Sequence, residues 1–121
     1  MPAPKPPPSL PVAVEQAYAL WIWLDERVMG LPAHVRTATG ARVLTTAVDV
    51  LDLLLCAAYE PRGSVHRPEY LRSANQRLAL LRFLLRGLRD RKHISLDQHA
   101  YVVELVDTLG RQVGAWSRTL G

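Results

Sequence analysis

The sequence has few of the residues that cross-links and metal centres require. Cys56 is the single cysteine among 121 residues, so no disulfide bond can form within the chain. The four histidines, His34, His66, His93 and His99, form neither the Glu-x-x-His pairs of di-iron bundles nor a zinc-type cluster. No glycine-rich loop follows a strand pattern, so a phosphate cradle is not indicated. We therefore predict no metal, no cofactor and no catalytic residue, and a protein that is not an enzyme.

Long apolar runs are missing as well. The apolar run at residues 53–59, for example, has seven residues, whereas a helix needs about 20 to cross a bilayer. The N-terminal stretch carries one lysine and a group of prolines, without the apolar centre of a secretory signal. Cys56 falls inside an apolar segment, where we expect a small buried hydrophobic side chain. Together these features predict a cytoplasmic protein that does not bind membranes.

Length and composition suit one compact domain, because 49% of the 121 residues are hydrophobic and the mean hydropathy is +0.01. Six of the nine prolines fall in residues 1–11. This stretch is predicted to be a flexible, extended tail, or alternatively a ligand for an aromatic groove. We assign residues 12–118 to a helical domain and residues 119–121 to a short C-terminal tail.

Apolar residues recur at spacings of three and four, which predicts four amphipathic helices and no strands. The expected helices are Val12–Met29, residues 33–59, residues 68–90, and a last one that follows a capping box of Ser95 and Gln98. Short connections between four such helices predict an all-α, antiparallel up-down-up-down four-helix bundle. The predicted core stripe of the first helix is Val14, Ala17, Tyr18, Trp21, Leu24 and Val28, and that of the third is Leu71, Leu78, Leu81, Leu85 and Leu88.

Positive charge is concentrated in one segment. The net charge of the chain is +4, but residues 67–92 hold eight Lys or Arg residues against two acids, so this segment carries +6. At about 100° per residue, Arg82, Arg86 and Arg89 cluster within roughly 60° of arc beside the leucine stripe. Guanidinium groups match phosphate oxygens, so the pattern favours binding to an anionic partner, with a solvated helix face as the alternative. The predicted contact residues of this segment are Arg72, Arg77, Arg82, Arg86, Arg89, Arg91 and Lys92.

Two aromatic residues fall on helix faces that would be exposed to solvent in a monomeric bundle. Phe83 projects away from the leucine stripe, and Trp23 projects away from the predicted stripe of the first helix. Such side chains indicate contacts beyond one chain, with other subunits, a protein partner or stacked bases.

Three groups of residues resemble one protein family. They are Leu31-Pro32 with Arg36, Thr39-Gly40 and Arg42; the run LLRFLLR at residues 80–86; and the run GRQVGAW at residues 110–116. In this order and spacing they resemble the accessory variability determinant proteins of diversity-generating retroelements. That family is related to the four-helix-bundle proteins encoded by intervening sequences in bacterial 23S ribosomal RNA genes. The resemblance covers the chain from the first helix to Trp116, and it departs from the family pattern at Ala115, where a second glycine is expected.

The resemblance implies a homopentamer of four-helix protomers whose basic surface binds a reverse transcriptase and nucleic acid, RNA or DNA. It places the basic positions of the family on Arg36, Arg42, Arg82 and Arg86, and its C-terminal pattern on Gly110, Arg111, Gly114 and Trp116. With the aromatic residues above, Trp116 is then a candidate interface residue. The alternative is a structural, RNA-associated oligomer of the ribosomal intervening-sequence type, without a polymerase partner.

Overall fold

The computed structural model describes residues 10–119 of the chain, and within that range it is all helical. Helix α1 is Val12–Met29 and helix α2 comprises the consecutive segments Ala33–Val35, Arg36–Gly40 and Ala41–Tyr59. Helix α3 is His66–Asp90 and helix α4 is Leu96–Arg118. The four predicted helices and the predicted lack of strands are thus confirmed for residues 10–119. Most of the proline-rich stretch, residues 1–9, lies outside the described residues, as do residues 120 and 121.

Each helix packs against two neighbours, which places one core between all four. Helix α2 contacts α1 and α3, and helix α4 contacts α3 and α1. Leucine, valine and alanine side chains fill the space between them, as the three-and-four spacing requires. The most deeply buried large side chains are Leu20, Leu24, Val43, Val50, Leu54, Leu71, Leu78, Leu81, Leu85, Val102 and Leu109. None of the helices described is long and apolar enough to cross a membrane.

The predicted core stripe is confirmed on α3 but differs on α1. All five leucines predicted on α3 are buried, and Ala74 joins them. On α1, by contrast, Leu20 is buried while Tyr18 is half exposed and Trp21 is partly exposed. The predicted stripe included the large apolar residues Tyr18 and Trp21 and left out Leu20. In the structure the narrower Leu20 lies in the core, because the helices pack closely there.

Two predicted helix starts can be compared with the structure. Ser95 and Gln98 form the expected capping box: Gln98 N–H donates to Ser95 Oγ at 3.0 Å, and Ser95 N–H donates to Gln98 Oε1 at 2.9 Å. Helix α3 begins two residues earlier than predicted, at His66, whose N–H donates to Ser64 Oγ at 3.1 Å. Pro68 is therefore still in the first turn, where its missing N–H breaks no helical hydrogen bond.

Helix α2 is not a uniform α-helix, because Arg36–Gly40 forms one π-helical turn. Gly40 at its end is buried against α1. A Cβ added at Gly40 would lie 2.8 Å from Val28 Cγ1 and 3.3 Å from the carbonyl oxygen of Val35. A glycine is therefore needed for α1 and α2 to approach this closely, and Gly40 is a packing point rather than a flexible one.

Candidate functional site

The basic residues of α3 are not equivalent, because one of them donates hydrogen bonds to the end of α2. Arg67 donates from Nε to the carbonyl oxygen of Ala57 at 2.9 Å, and from Nη2 to the carbonyl oxygen of Glu60. These carbonyls belong to the last turn and the cap of α2, where helical donors are no longer available. Arg67 thus satisfies the end of α2 and is unsuited to contact a ligand.

Two further arginines pair with acids on neighbouring helices. Arg82 Nε lies 3.0 Å from Asp107 Oδ1 on α4, and Arg77 Nε lies 3.9 Å from Asp49 Oδ2 on α2. The charge sum made from the sequence counted only the two acids within residues 67–92 and left out Asp49 and Asp107, which lie on other helices. With both included, the local charge surplus falls from +6 to +4, so the basic surface is weaker than the sequence predicts but keeps its sign.

Asp90 at the end of α3 pairs with the other two predicted cluster residues. Its Oδ1 accepts from Arg89 Nε at 3.1 Å and from Arg89 Nη2 at 2.8 Å, and Arg86 Nε lies 3.8 Å from Oδ2. The hydrogen bond from Arg89, together with the charges of Arg89 and Arg86, lowers the pKa of the Asp90 carboxyl below its ordinary value. One carboxylate cannot use all the donors of two guanidinium groups, so donors remain for an external anion.

The remaining predicted contact residues are mostly exposed. Arg72, Arg91 and Lys92 are exposed, and within residues 10–119 none of them forms an ion pair. Lys92 has a φ of 63° in the turn that follows α3, and together with Arg91 it extends the positive charge beyond the helix.

The predicted basic residues on α2 and α4 differ in how they are held. Arg36, in the π-helical turn of α2, is half-buried and donates from Nη1 to the carbonyl oxygen of Leu31 at 3.4 Å. Arg42 is exposed on α2. Arg111 is exposed on α4 and donates to Thr108 Oγ1 at 3.1 Å. Arg36 and Arg111 therefore each have a local hydrogen-bond partner, but Arg36 is half-buried, whereas Arg42 and Arg111 are exposed to solvent.

A groove of about 450 Å³ runs between α3 and α4, and we call it the arginine groove. Asp107, Gly110, Arg111, Gly114 and Arg118 reach it from one face of α4, at spacings of three, one, three and four. Arg82 and Asn75 reach it from α3. Sequence reasoning named Arg82 and Arg111 separately and missed Arg118 and Asn75. The spacing of these residues indicates that they share one face of α4. It does not indicate that this face lies beside α3.

The three candidate interface aromatics have different environments. Phe83 is 68% exposed, as predicted from its face of α3. Trp23 is instead partly buried: its ring lies 5.6 Å from that of Tyr101 on α4, and the Arg27 guanidinium lies 5.0 Å above it. The prediction that Trp23 is exposed to solvent is wrong, because α4 packs beside it. Trp116 is also partly buried and packs against the core.

Two surface recesses adjoin these aromatic residues. Trp23 and Tyr101 line an apolar groove between α1 and α4, together with Tyr18, Ile22 and Leu105. Phe83 and Arg91 line a cleft of about 360 Å³ against the first turns of α2, where His34 and Thr39 lie. The first recess is apolar and the second combines an aromatic ring with a cation, so both offer contact surface for another molecule.

Groups that could carry metal or nucleophilic chemistry are isolated from one another. Within residues 10–119 no three His, Cys, Asp or Glu side chains come together as a metal site. Cys56 is half-buried rather than fully buried, and desolvation, followed by the charges of Asp52 and Glu60, raises the pKa of its thiol. A raised pKa leaves less reactive thiolate at neutral pH.

Comparison of the chain with models of protein families, and with curated proteins, finds no match. The assignment of a function therefore depends on the residues and geometry described above.

Proposed function

We propose that this protein is a non-catalytic accessory subunit of a diversity-generating retroelement, which binds nucleic acid and the reverse transcriptase of that element through the basic surface of α3. The observation that carries the proposal is the charge of this surface, which stays positive after Asp49 and Asp107 are counted. Arg72, Arg86 and Arg91 are exposed on it. A guanidinium group keeps its positive charge and can donate two parallel hydrogen bonds to the oxygens of one phosphate, so arginine suits a nucleic-acid backbone.

The link to a reverse transcriptase rests on the resemblance of residues 31–42, 80–86 and 110–116 to the accessory variability determinant family. Two of these segments meet in space, since Arg82 of α3 and Gly110, Arg111 and Gly114 of α4 line the same arginine groove. The proposal is that one part of the basic surface holds RNA or DNA while another part contacts the polymerase.

Self-association is part of the same proposal. The protomer is an antiparallel up-down-up-down bundle and five protomers assemble into a ring. Exposed apolar side chains support such an assembly, because Phe83 is 68% exposed, and Tyr18 and Tyr101 are 50% and 54% exposed beside the apolar groove of α1 and α4. Burying such side chains between subunits removes apolar area from water.

The nucleic-acid part is tested with a variant in which Arg82, Arg86 and Arg89 are all replaced by Ala. Binding of the full chain to a structured RNA is measured by fluorescence anisotropy at low and high salt. We expect the affinity of the triple variant to fall roughly uniformly across RNA sequences, because phosphate contacts carry no base information. Arg62→Ala is the matched control, since Arg62 is exposed in the turn between α2 and α3.

Circular dichroism confirms in each case that the variant is folded. A folded triple variant that binds RNA as tightly as the parent chain would refute the nucleic-acid proposal.

The polymerase and assembly parts need separate measurements. Light scattering of the purified chain should give the mass of five protomers, and co-expression with a retroelement reverse transcriptase should yield a complex that survives purification. An oligomer that binds RNA but never retains the polymerase would favour the structural, ribosomal intervening-sequence type of function instead.

A further inference from the structure

The arginine groove between α3 and α4 has the composition of a small anion site. The residues that line it include three guanidinium groups, of Arg82, Arg111 and Arg118, and one carboxylate, that of Asp107, so their net charge is +2. No aromatic side chain is among the residues that line it. The groove can therefore attract phosphate oxygens but offers no ring on which a base could stack.

Two glycines form the floor of this groove and make room for the guanidinium groups. A Cβ added at Gly110 would lie 3.1 Å from Arg82 Nη2, and one added at Gly114 would lie 3.5 Å from Arg118 Nη1. Both guanidinium groups thus lie directly over helix positions without a side chain. Glycine inside a helix weakens it relative to alanine, so the two glycines of α4 lower helix stability while leaving this space open.

The ion pair within the groove orients one of the guanidinium groups. Arg82 uses Nε for Asp107 Oδ1 at 3.0 Å, and its Nη2 lies over Gly110. Because a guanidinium is planar and carries five donors, engaging Nε leaves the Nη donors available on the side of the groove. Asp107 acts here as a positioning residue for Arg82.

We propose that the arginine groove binds a backbone phosphate of a nucleic-acid strand, held by Arg82, Arg111 and Arg118 above Gly110 and Gly114. This inference rests on the proposed function and locates one phosphate contact of the strand between α3 and α4. The ligand chemistry is a phosphate group, and the source we assign is a phosphodiester of a strand that continues onto the basic surface of α3.

The first test fills the groove without changing its charge. Gly110→Gln adds a neutral side chain where only the flexible end of Arg82 is near. Gly30→Gln at the end of α1 is the matched control, because Gly30 lies outside α3 and the groove, and a Cβ added there meets only the carbonyl oxygen of Arg27, at 3.6 Å. Binding of the full chain to an oligouridylate of about 12 nucleotides, a length within the range of single-strand sites, is measured by anisotropy. We expect Gly110→Gln to weaken binding about ten-fold, as expected for a lost charge-assisted contact, and Gly30→Gln to leave it unchanged.

A second variant covers the case in which Gly110→Gln does not fold. Arg118→Gln removes one guanidinium without filling the groove, and it should also weaken binding while preserving the helical circular dichroism spectrum. Equal affinities for the Gly110→Gln, Arg118→Gln and parent chains would overturn the groove assignment. If the Arg82, Arg86 and Arg89 triple variant still lost binding, the proposed function would survive that failure.

The source of the phosphate is tested by competition with inorganic phosphate at constant ionic strength. We expect it to displace the oligouridylate only weakly, because a strand makes further contacts on α3 that a free ion lacks. Half-displacement at submillimolar phosphate, seen in the parent chain and in Gly30→Gln but lost in Arg118→Gln, would assign the groove to a free phosphate and overturn the nucleic-acid source.

Discussion

Arg82 on α3 and Asp107 on α4 form an ion pair with 3.0 Å between Nε and Oδ1, the shortest of the ion pairs that join two helices within residues 10–119. Both residues line the arginine groove, and their side chains are 39% and 45% exposed. An ion pair this open to water is screened, so its position next to the groove matters more than its contribution to folding.

The pair should contribute little to stability. We expect Arg82→Gln, Asp107→Asn and the double variant to give a coupling free energy below about 1 kcal/mol, as exposed pairs do. Urea denaturation of the four proteins completes the double-mutant cycle. A coupling above about 2 kcal/mol would contradict a solvent-screened pair and imply a structural role for it.

Gly40 should be far more sensitive to substitution than Gly87. Gly40→Ala places a Cβ 2.8 Å from Val28 Cγ1 between α1 and α2, and we expect a loss of about 1–3 kcal/mol in the free energy of unfolding, as for an overpacked core. Gly87→Ala meets no atom within 4 Å and should raise stability by up to about 1 kcal/mol, because alanine favours helix. Chemical denaturation of the two variants measures both changes. Equal effects would show that α1 and α2 can separate at Gly40 without cost.

The helices could be predicted from the sequence because their signals are local. The capping box of Ser95 and Gln98 and the leucine spacing of α3 depend only on residues within the same helix. The stripe of α1 was wrong at Tyr18 and Trp21, because the choice between neighbouring apolar residues depends on how closely other helices approach. The π-helical turn at Arg36–Gly40 gave no sequence signal beyond the presence of Gly40.

The candidate site was predictable only in part, for the same reason. The charge of residues 67–92 is a property of the sequence, but its compensation by Asp49 and Asp107 depends on which helices are neighbours. Arg67 was counted in the charge of this segment, but its contact with the end of α2 depends on how α3 packs beside α2 and could not be predicted from the sequence. Arg118 was overlooked because its proximity to Arg82 arises from the packing of α4 on α3.

Salt dependence should report how many phosphate contacts the basic surface makes. For each contact removed, the slope of log K against log salt should become shallower by about 0.7 for a single strand or about 0.9 for a duplex. We expect Arg86→Ala to make the slope shallower by the amount for one phosphate contact. Arg86 is exposed, and its contact with Asp90 is long, at 3.8 Å. Arg62→Ala should leave the slope unchanged. Identical slopes for Arg86→Ala and the parent chain would exclude Arg86 from the contact surface.

Phe83 should matter for assembly and not for folding. Its ring is 68% exposed, so we expect Phe83→Ser to change the free energy of unfolding by no more than about 0.5 kcal/mol. Light scattering should nevertheless show a lower mass at a given concentration if Phe83 lies between subunits. Leu96→Ser is the control, because Leu96 is 74% exposed at the start of α4. A similar fall in mass for both variants, or for neither, would remove Phe83 from the proposed interface.

His99 on α4 should make stability depend on pH. Desolvation, followed by the charge of Arg89, lowers the pKa of its imidazole from 6.5, and Asp90 opposes this only in part. Between the lowered folded-state pKa and pH 6.5 the imidazole therefore binds more protons in the unfolded chain than in the folded one. The contribution of His99 to stability is fully present above pH 6.5 and is lost as the pH falls through the folded-state pKa. Urea denaturation at several pH values should show a flatter dependence for His99→Gln than for His34→Gln, the same change at an exposed histidine. Parallel pH dependences for these two variants would mean that His99 is protonated as readily in the folded chain as in the unfolded one.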